Sequence, residues 1–402
     1  MMFNLDDFIS DCVIKRASSM FYDDLYTNSE LLSQRIKNRS VLVIGGAGSI
    51  GSSFIKALLP FEPSSLVVVD TNENALAELT RYLRSTKGMF VPAEYITYPM
   101  DFSSHVFEKM FRSHRGFDIV GNFSAHKHVR SEKDIFSVEA LLQNNVLHAK
   151  HLLDLLTEYP PEEYFCVSTD KAANPVNIMG ASKRIMEDVI FSYSDKFPVK
   201  TARFANVAFS NGSLPAGFLA RIQKLQPLSA PSDVRRFFVS PVESGQICLL
   251  SCVLGENREI FFPKLEEVQM MTFDVIATEL LKAHGYEILK CNSDEEAIEK
   301  AEALKKGSNL YPVHFSISDT SGEKPFEEFV TDSESADMNR FSSLGVIIGK
   351  ELPDRKRIEH LYSELNRAFS NETTKEEIIA IMKDYLPSFE HIETGKFLDG
   401  KM

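Results

Sequence analysis

Between Ser168 and Lys183 the chain reads STDKAANPVNIMGASK, which sets a carboxyl (Asp170) beside an amine (Lys171), a hydroxyl before them (Thr169) and a second lysine, Lys183, further on. A carboxyl and an amine in adjacent positions can supply the general acid and the general base of one reaction. The segment therefore points to an enzyme. The competing reading is structural: Asp170 and Lys171 cap the next helix and pair with each other.

Such groups need a scaffold that holds a reactant against them, and the sequence upstream supplies one. In VLVIGGAGSIGSSFIKALL an apolar strand passes through Gly45, Gly48 and Gly51 into a helix that begins with Ser49 and Ile50. Glycine there lets the backbone approach a pyrophosphate at the helix N-terminus. Asp70 follows Gly51 by 19 residues and ends the next apolar strand, LVVVD, where a carboxylate binds ribose hydroxyls. The pattern predicts NAD rather than NADP. An ordinary glycine turn with a capping aspartate is the alternative. Asp101, after YPM, either faces the adenine or serves a turn.

Short apolar runs at 41–44, 66–70, 117–125 and 163–169, separated by amphipathic stretches, predict buried parallel strands alternating with helices. Further strands are expected at 201–209 and 259–263. The fold class read from this is α/β: a Rossmann-like, doubly wound parallel sheet with a smaller mixed α/β substrate-binding region. The expected division is a helical N-terminal extension over 1–39, an NAD-binding domain over 40–263 (with 210–231 contributing to the substrate region), and a C-terminal substrate-binding region over 264–402.

The chain's 402 residues and 44% hydrophobic content suffice for a substantial core. A net charge of −13 argues against a general nucleic-acid binder while leaving room for a local basic pocket. The five cysteines are scattered without a CxxC pair, so reduced thiols in a cytoplasmic protein are expected rather than disulfides or zinc. His126 and His128 form an HxH pair, but no further ligands stand at suitable spacing, and no metal is expected. No apolar run approaches the roughly 20 residues a membrane span requires, and MMFNLDDFIS lacks the features of a signal peptide.

The segment STDKAANPVNIMGASK resembles the active-site segment of UDP-N-acetylhexosamine 4,6-dehydratases, a branch of the extended short-chain dehydrogenase/reductase superfamily. The resemblance runs from about Ser40 to Phe329. It implies that carbon 4 of the sugar is oxidised to a ketone by NAD, which acidifies the carbon-5 proton so that the 6-hydroxyl can leave. Asp170 would then protonate the departing hydroxyl and Lys171 would take the carbon-5 proton. For this Lys171 must be neutral and Asp170 protonated; burial, Lys183 or the positive nicotinamide ring would disfavour the ammonium.

The superfamily's tyrosine four residues before the active-site lysine is Met179 here, as in a recognised branch of the dehydratases. A thioether exchanges no proton, so Thr169 is expected to position the 4-hydroxyl and relay its proton to Lys183 or water, while Lys183 also binds the nicotinamide ribose.

The resemblance carries further residues. In GNFSAHKHVRSE, Ser124 and Ala125 would line the cofactor while Lys127 and His128 lead toward the substrate. Asn145 matches a structural asparagine of the superfamily, against the alternative of a solvated helix residue. Arg203 and Asn206 match positions near the nucleotide-sugar phosphates, Asn206 more strongly. Arg236 would neutralise a diphosphate, with Arg235 solvated, and Lys324 in GEKPFEEF would touch uridine diphosphate, although an arginine often found before that segment is absent from SDTS.

Together these imply a UDP-N-acetylglucosamine 4,6-dehydratase that makes a 4-keto-6-deoxy sugar nucleotide for a bacterial surface glycan and retains the configuration at carbon 5. A homo-oligomer without nucleic-acid or membrane partners is expected. A nucleotide-sugar 4-epimerase and a nonenzymatic NAD-binding sensor are the alternatives.

Overall fold

The computed structural model describes residues 3–127, 132–319 and 322–393. Nine strands form one sheet: β1 (Ser40–Ile44), β2 (Ser65–Asp70), β3 (Glu94–Pro99), β4 (Ile119–Asn122), β5 (Glu163–Thr169), β6 (Val199–Phe204), β7 (Glu259–Pro263), β8 (Ser335–Asp337) and β9 (Leu344–Ile348). Their order is β8-β9-β7-β6-β5-β4-β1-β2-β3. Strands β1 to β7 run parallel, and β8 and β9 are antiparallel additions at the β7 edge.

The Val, Leu and Ile residues of β1 and β2 are buried throughout, as expected for a parallel sheet covered by helices on both faces. The winding reverses between β1 and β4, and in such sheets a crevice opens at the carboxyl ends of the strands at that point. Gly45, Asp70, Ser124 and Thr169 all stand at or just beyond those ends.

A second core gathers beside the sheet. The strands Leu228–Pro231, Leu310–Ser316 and Glu287–Cys291 make a small parallel sheet covered by the helix Phe273–Ala283, whose Ile276, Ala277, Leu280 and Leu281 are buried with Phe218, Tyr311 and Val313. The N-terminal extension, whose role the sequence does not reveal, joins this core through Phe8, Ile9, Val13 and Ile14. Arg16 then clamps it to the helix Pro241–Leu254, its Nε and Nη2 donating to Glu243 at 3.0 and 2.8 Å.

Of the C-terminal stretch 264–402, β8 and β9 extend the main sheet, while the helices Arg355–Phe369 and Lys375–Tyr385 pack as a hairpin beside the helices His148–Leu156 and Ile178–Phe191. Tyr362 donates to the Leu147 carbonyl at 2.6 Å, and Lys150 pairs with Glu359 at 3.4 Å. Among the described residues no helix is long and apolar enough to cross a membrane.

Candidate active site

The glycine loop is shaped by contacts only glycine permits. Gly45 has φ +70°, and a Cβ there would lie 2.7 Å from the Ser124 nitrogen. At Gly51 a Cβ would collide with the Gly45 carbonyl oxygen and come within 2.8 Å of the Gly46 Cα. The helix Ser49–Leu58 starts from Gly48 with no side chain capping it, so its N-terminal dipole and amides suit an anion. Asp70 ends β2 with Oδ2 accepting from the Ala47 N–H at 3.0 Å and Oδ1 from the Asn72 N–H at 2.9 Å.

On the opposite side of the loop, Ser124 receives its backbone orientation from Asn122 Oδ1, 3.0 Å away, and Ala125 follows it beyond β4. Asp101 is exposed, and its Oδ1 accepts from the amide and the hydroxyl of Ser103 at 2.8 and 2.9 Å, the geometry of turn chemistry.

The carboxyl and the amine expected to act as acid and base meet where β5 ends. A short 3-10 turn, Asp170–Ala172, begins at Thr169 and brings three neighbouring groups onto one carboxylate oxygen. Asp170 Oδ1 accepts from the Thr169 hydroxyl at 2.9 Å, the Lys171 amide at 2.9 Å and Lys171 Nζ at 3.2 Å. Asp170 is buried. Lys171 Nζ also lies 3.5 Å from Glu327 Oε1.

Burial works against the Lys171 ammonium, but the carboxylates of Asp170 and Glu327 overcome it and hold the amine above its usual value. Burial, one of the influences expected to favour the neutral amine, is here outweighed by the two carboxylates.

Lys183 lies on the helix Ile178–Phe191, buried, with Nζ donating to the Val167 carbonyl at 3.0 Å. Burial pushes its amine below the ordinary lysine value, against the opposing influence of Cys166 and Glu187. Met179 is buried at the start of the same helix. Two caps fix that start: Asn177 accepts from the Gly180 N–H at 2.7 Å, and the buried carboxylate of Glu132 accepts from the Ile178 and Met179 amides at 3.0 and 2.9 Å. Burial pushes the Glu132 carboxyl up to about 7 even though both amides and Lys375 favour its charge.

Asn145 is buried in a π-helical turn, Gln143–Leu147, rather than solvated. It exchanges two 2.9 Å hydrogen bonds with the His126 backbone and donates to Ser182 at 3.1 Å. It thus ties the segment after β4 to the lysine-bearing helix. His126 and Lys127 are exposed; His128 lies outside the described residues. Among the described residues no three His, Cys, Asp or Glu side chains cluster to hold a metal ion.

The basic residues expected at phosphates separate into two settings. Arg203 is fully buried behind the site and engaged with Glu187 and Glu334. Arg236 is buried at the site's wall: Nη1 donates to the carbonyls of Arg235, Lys324 and Pro325 at 2.9, 2.9 and 3.3 Å, and Nη2 to Glu323 at 3.3 Å. Asn206 pairs through its backbone with Phe237, and Lys324 Nζ donates to the Asn174 carbonyl. Sequence reasoning missed Glu132 and Glu327. The charged GNFSAHKHVRSE and GEKPFEEF segments contained both, but with no periodicity to show which carboxylate turns inward.

Residues 41–348 match the family described as polysaccharide biosynthesis protein. The chain is 30% identical over 363 residues to MJ1061 of Methanocaldococcus jannaschii, described as an uncharacterized membrane protein, covering 88% of this chain and 98% of that one. It is 24% identical over 306 residues to a UDP-N-acetylglucosamine 4,6-dehydratase (inverting) of Campylobacter jejuni, covering 74% and 83%. DesIV of Streptomyces venezuelae, a dTDP-glucose 4,6-dehydratase solved with NAD bound, shares the fold at a TM-score of 0.55 and 19% identity, covering 72% of this chain and 87% of its own.

Proposed function

We propose that this chain, which belongs to the polysaccharide biosynthesis protein family, is an NAD-dependent dehydratase that converts UDP-N-acetylglucosamine to a 4-keto-6-deoxy sugar nucleotide, with carbon 5 retaining its configuration, for a bacterial surface glycan. The observation that carries the reading is the Thr169-Asp170-Lys171 constellation at the crevice end of β5, with Lys171 Nζ 3.2 Å from Asp170 Oδ1. A reaction that only moves hydride back and forth at carbon 4 needs no such additional acid and base pair. The Campylobacter jejuni relative, a UDP-N-acetylglucosamine 4,6-dehydratase, lends support to the substrate class.

The loop of Gly45, Gly48 and Gly51, with Ser49 and Ile50, would hold the NAD pyrophosphate, Asp70 the adenosine ribose, and Lys183 the nicotinamide ribose, with Ser124 and Ala125 along one side. The cradle fits: the tight course of the loop over the helix start exists because a Cβ at Gly45 or Gly51 would meet the Ser124 nitrogen or the Gly45 carbonyl. When bound, NAD supplies a reversible two-electron store for the oxidation at carbon 4 and the later reduction at carbon 6. Thr169 orients the 4-hydroxyl, Lys171 takes the carbon-5 proton, and Asp170 protonates the leaving 6-hydroxyl.

One proton shift from Lys171 Nζ to Asp170 Oδ1 produces a neutral base and a protonated acid together. The adjacent positions of the two residues thus answer both requirements at once. Asn206 and Arg236 would meet the diphosphate and Lys324 the uridine diphosphate, with Lys127, His128 and Met179 also on the substrate side.

The test is mass spectrometry of UDP-N-acetylglucosamine incubated with the purified protein in deuterium oxide. Loss of one water with deuterium at carbon 5 is expected. Unchanged mass with a new 4-epimer would replace the reading with epimerisation, and tight NAD binding without turnover of any nucleotide sugar would favour a sensor. Gly51→Ala is expected to weaken NAD binding by at least about tenfold, measured by calorimetric titration, because the added methyl meets the Gly45 carbonyl. Unaltered affinity would place the cofactor elsewhere.

A further inference from the structure

We propose that Glu327 is a positioning residue for the elimination, holding the Lys171 amine against Asp170 and governing when that amine gives up its proton. The proposal rests on the dehydratase reading above and assigns a role to a side chain that reading leaves unused.

Glu327 belongs to the irregular segment 322–330, which is fastened along its length to the elements that carry the chemistry. Asn177, the N-cap of the lysine-bearing helix, donates to the Gly322 carbonyl at 2.8 Å. The Arg235 amide bonds the Pro325 carbonyl at 2.9 Å, Asn174 reaches Glu328 at 3.0 Å, and Arg203 Nη1 bonds the Phe329 carbonyl at 2.8 Å. Between these anchors the Glu327 carboxylate is buried, 3.5 Å from Lys171 Nζ and 3.9 Å from Arg236 Nη2. A buried carboxylate held this firmly beside a catalytic amine constrains both where that amine stands and what charge it carries.

The charged groups around the pair come from three elements: Asp170 from the turn after β5, Glu327, Glu323 and Lys324 from the 322–330 segment, and Arg236 from the short strand Arg235–Arg236. Asp170 and Glu327 attract the ammonium and Arg236 repels it. Burial raises the Glu327 carboxyl, which Lys171, Arg236 and Lys324 oppose and Asp170 reinforces.

For catalysis the Lys171 N–H bond breaks as an O–H bond forms on Asp170, with no change of oxidation state. A negative Glu327 helps keep that proton on the pair, so it sets the pH above which the pair loses it to solvent and Asp170 has none left to give the 6-hydroxyl.

The experiment uses full-length protein carrying lysine labelled with carbon-13 at Cε, the Lys171 signal being assigned by its absence from Lys171→Arg. With no substrate present, Glu327→Gln is expected to lower the pH at which Lys171 deprotonates by about one unit or more. Glu327→Asp, which keeps the charge one methylene further back, should show a smaller shift in the same direction, and it carries the test should the glutamine variant fail to fold. With UDP-N-acetylglucosamine, the high-pH limb of the kcat profile should move down by the same amount.

An unchanged Lys171 titration overturns the proposal whether or not the sugar turns over, as does a shifted titration beside an unmoved kcat limb. A shifted titration in a wild-type background that dehydrates no sugar overturns only the dehydratase reading and leaves the electrostatic role of Glu327 standing.

Discussion

Asp170→Asn and Lys171→Ala should each lower kcat for UDP-N-acetylglucosamine by about 10²- to 10⁴-fold, the range that positioned acids and bases contribute. The asparagine variant keeps the shape of Asp170, and its side-chain oxygen can still accept from Thr169 and the Lys171 amide, which lie 2.9 Å from Oδ1. What it loses is the proton for the departing 6-hydroxyl. The alanine variant removes the amine that lies 3.2 Å from Asp170 and 3.5 Å from Glu327. Neither side chain is part of the glycine loop or the Asp70 turn, so NAD affinity should stay within about threefold of wild type, a difference of roughly 0.7 kcal/mol.

Because acid and base exchange one proton in this scheme, their effects should not add. The double variant is expected to be about as slow as the slower single one. Steady-state turnover measured beside NAD titration separates these expectations. A Lys171→Ala enzyme retaining more than a tenth of wild-type turnover would remove that residue from the base role, and multiplicative losses in the double variant would show that the two groups act independently.

The parts of this molecule legible in the sequence are those built from local signals. VLVI and LVVVD announce buried parallel strands because β-branched residues covered on both faces leave no alternation, and the glycine spacing lies on the strand-to-helix turn it predicts. Features that depend on distant partners were not legible. β8 is the tripeptide SAD, which has no strand signature and owes its place to pairing with β9. The N-terminal extension reads as helical but gives no sign that its apolar face completes the core beside Tyr311 and Phe218.

The site divides the same way. Thr169, Asp170 and Lys171 are contiguous, so one turn brings them together, whereas Glu327 reaches Lys171 from 156 positions away. Only the anchoring of its segment to Asn177, Asn174 and Arg203 turns that carboxylate, rather than the exposed Glu328 beside it, toward the amine. Asn145 was legible as a residue type, but its burial follows from the π-helical turn, which rotates it inward by an extra residue.

Arg203 is the residue for which distant partners matter most to stability. Its Nε and Nη2 donate to Glu187 at 2.9 and 2.8 Å, and its Nη1 and Nη2 to Glu334 at 2.7 and 2.9 Å. None of the Arg203 and Glu187 side chains is solvent-accessible. Arg203→Met should therefore destabilise the protein by about 3–5 kcal/mol, the cost of leaving buried charges without a partner, and lower the midpoint of thermal unfolding by roughly 4–6 °C.

The loss should depend on pH in a definite direction. Burial alone would raise the Glu334 carboxyl, but hydrogen bonding and charge from Arg203, with help from Lys350, bring it down to about 2. A carboxyl depressed in the folded state stabilises it above its ordinary value near 4.5 and loses that contribution as pH falls toward 2. The gap between wild type and Arg203→Met should accordingly be widest above pH 5 and narrow through that window.

Combining Arg203→Met with Glu187→Gln and Glu334→Gln distinguishes the cause. If unpaired charge carries the cost, the triple variant recovers much of the lost stability, because neutral amides of similar volume replace stranded carboxylates. If the triple variant melts as low as Arg203→Met alone, the cost lies in packing around β6, and the arginine is a space-filler whose charge the fold merely tolerates.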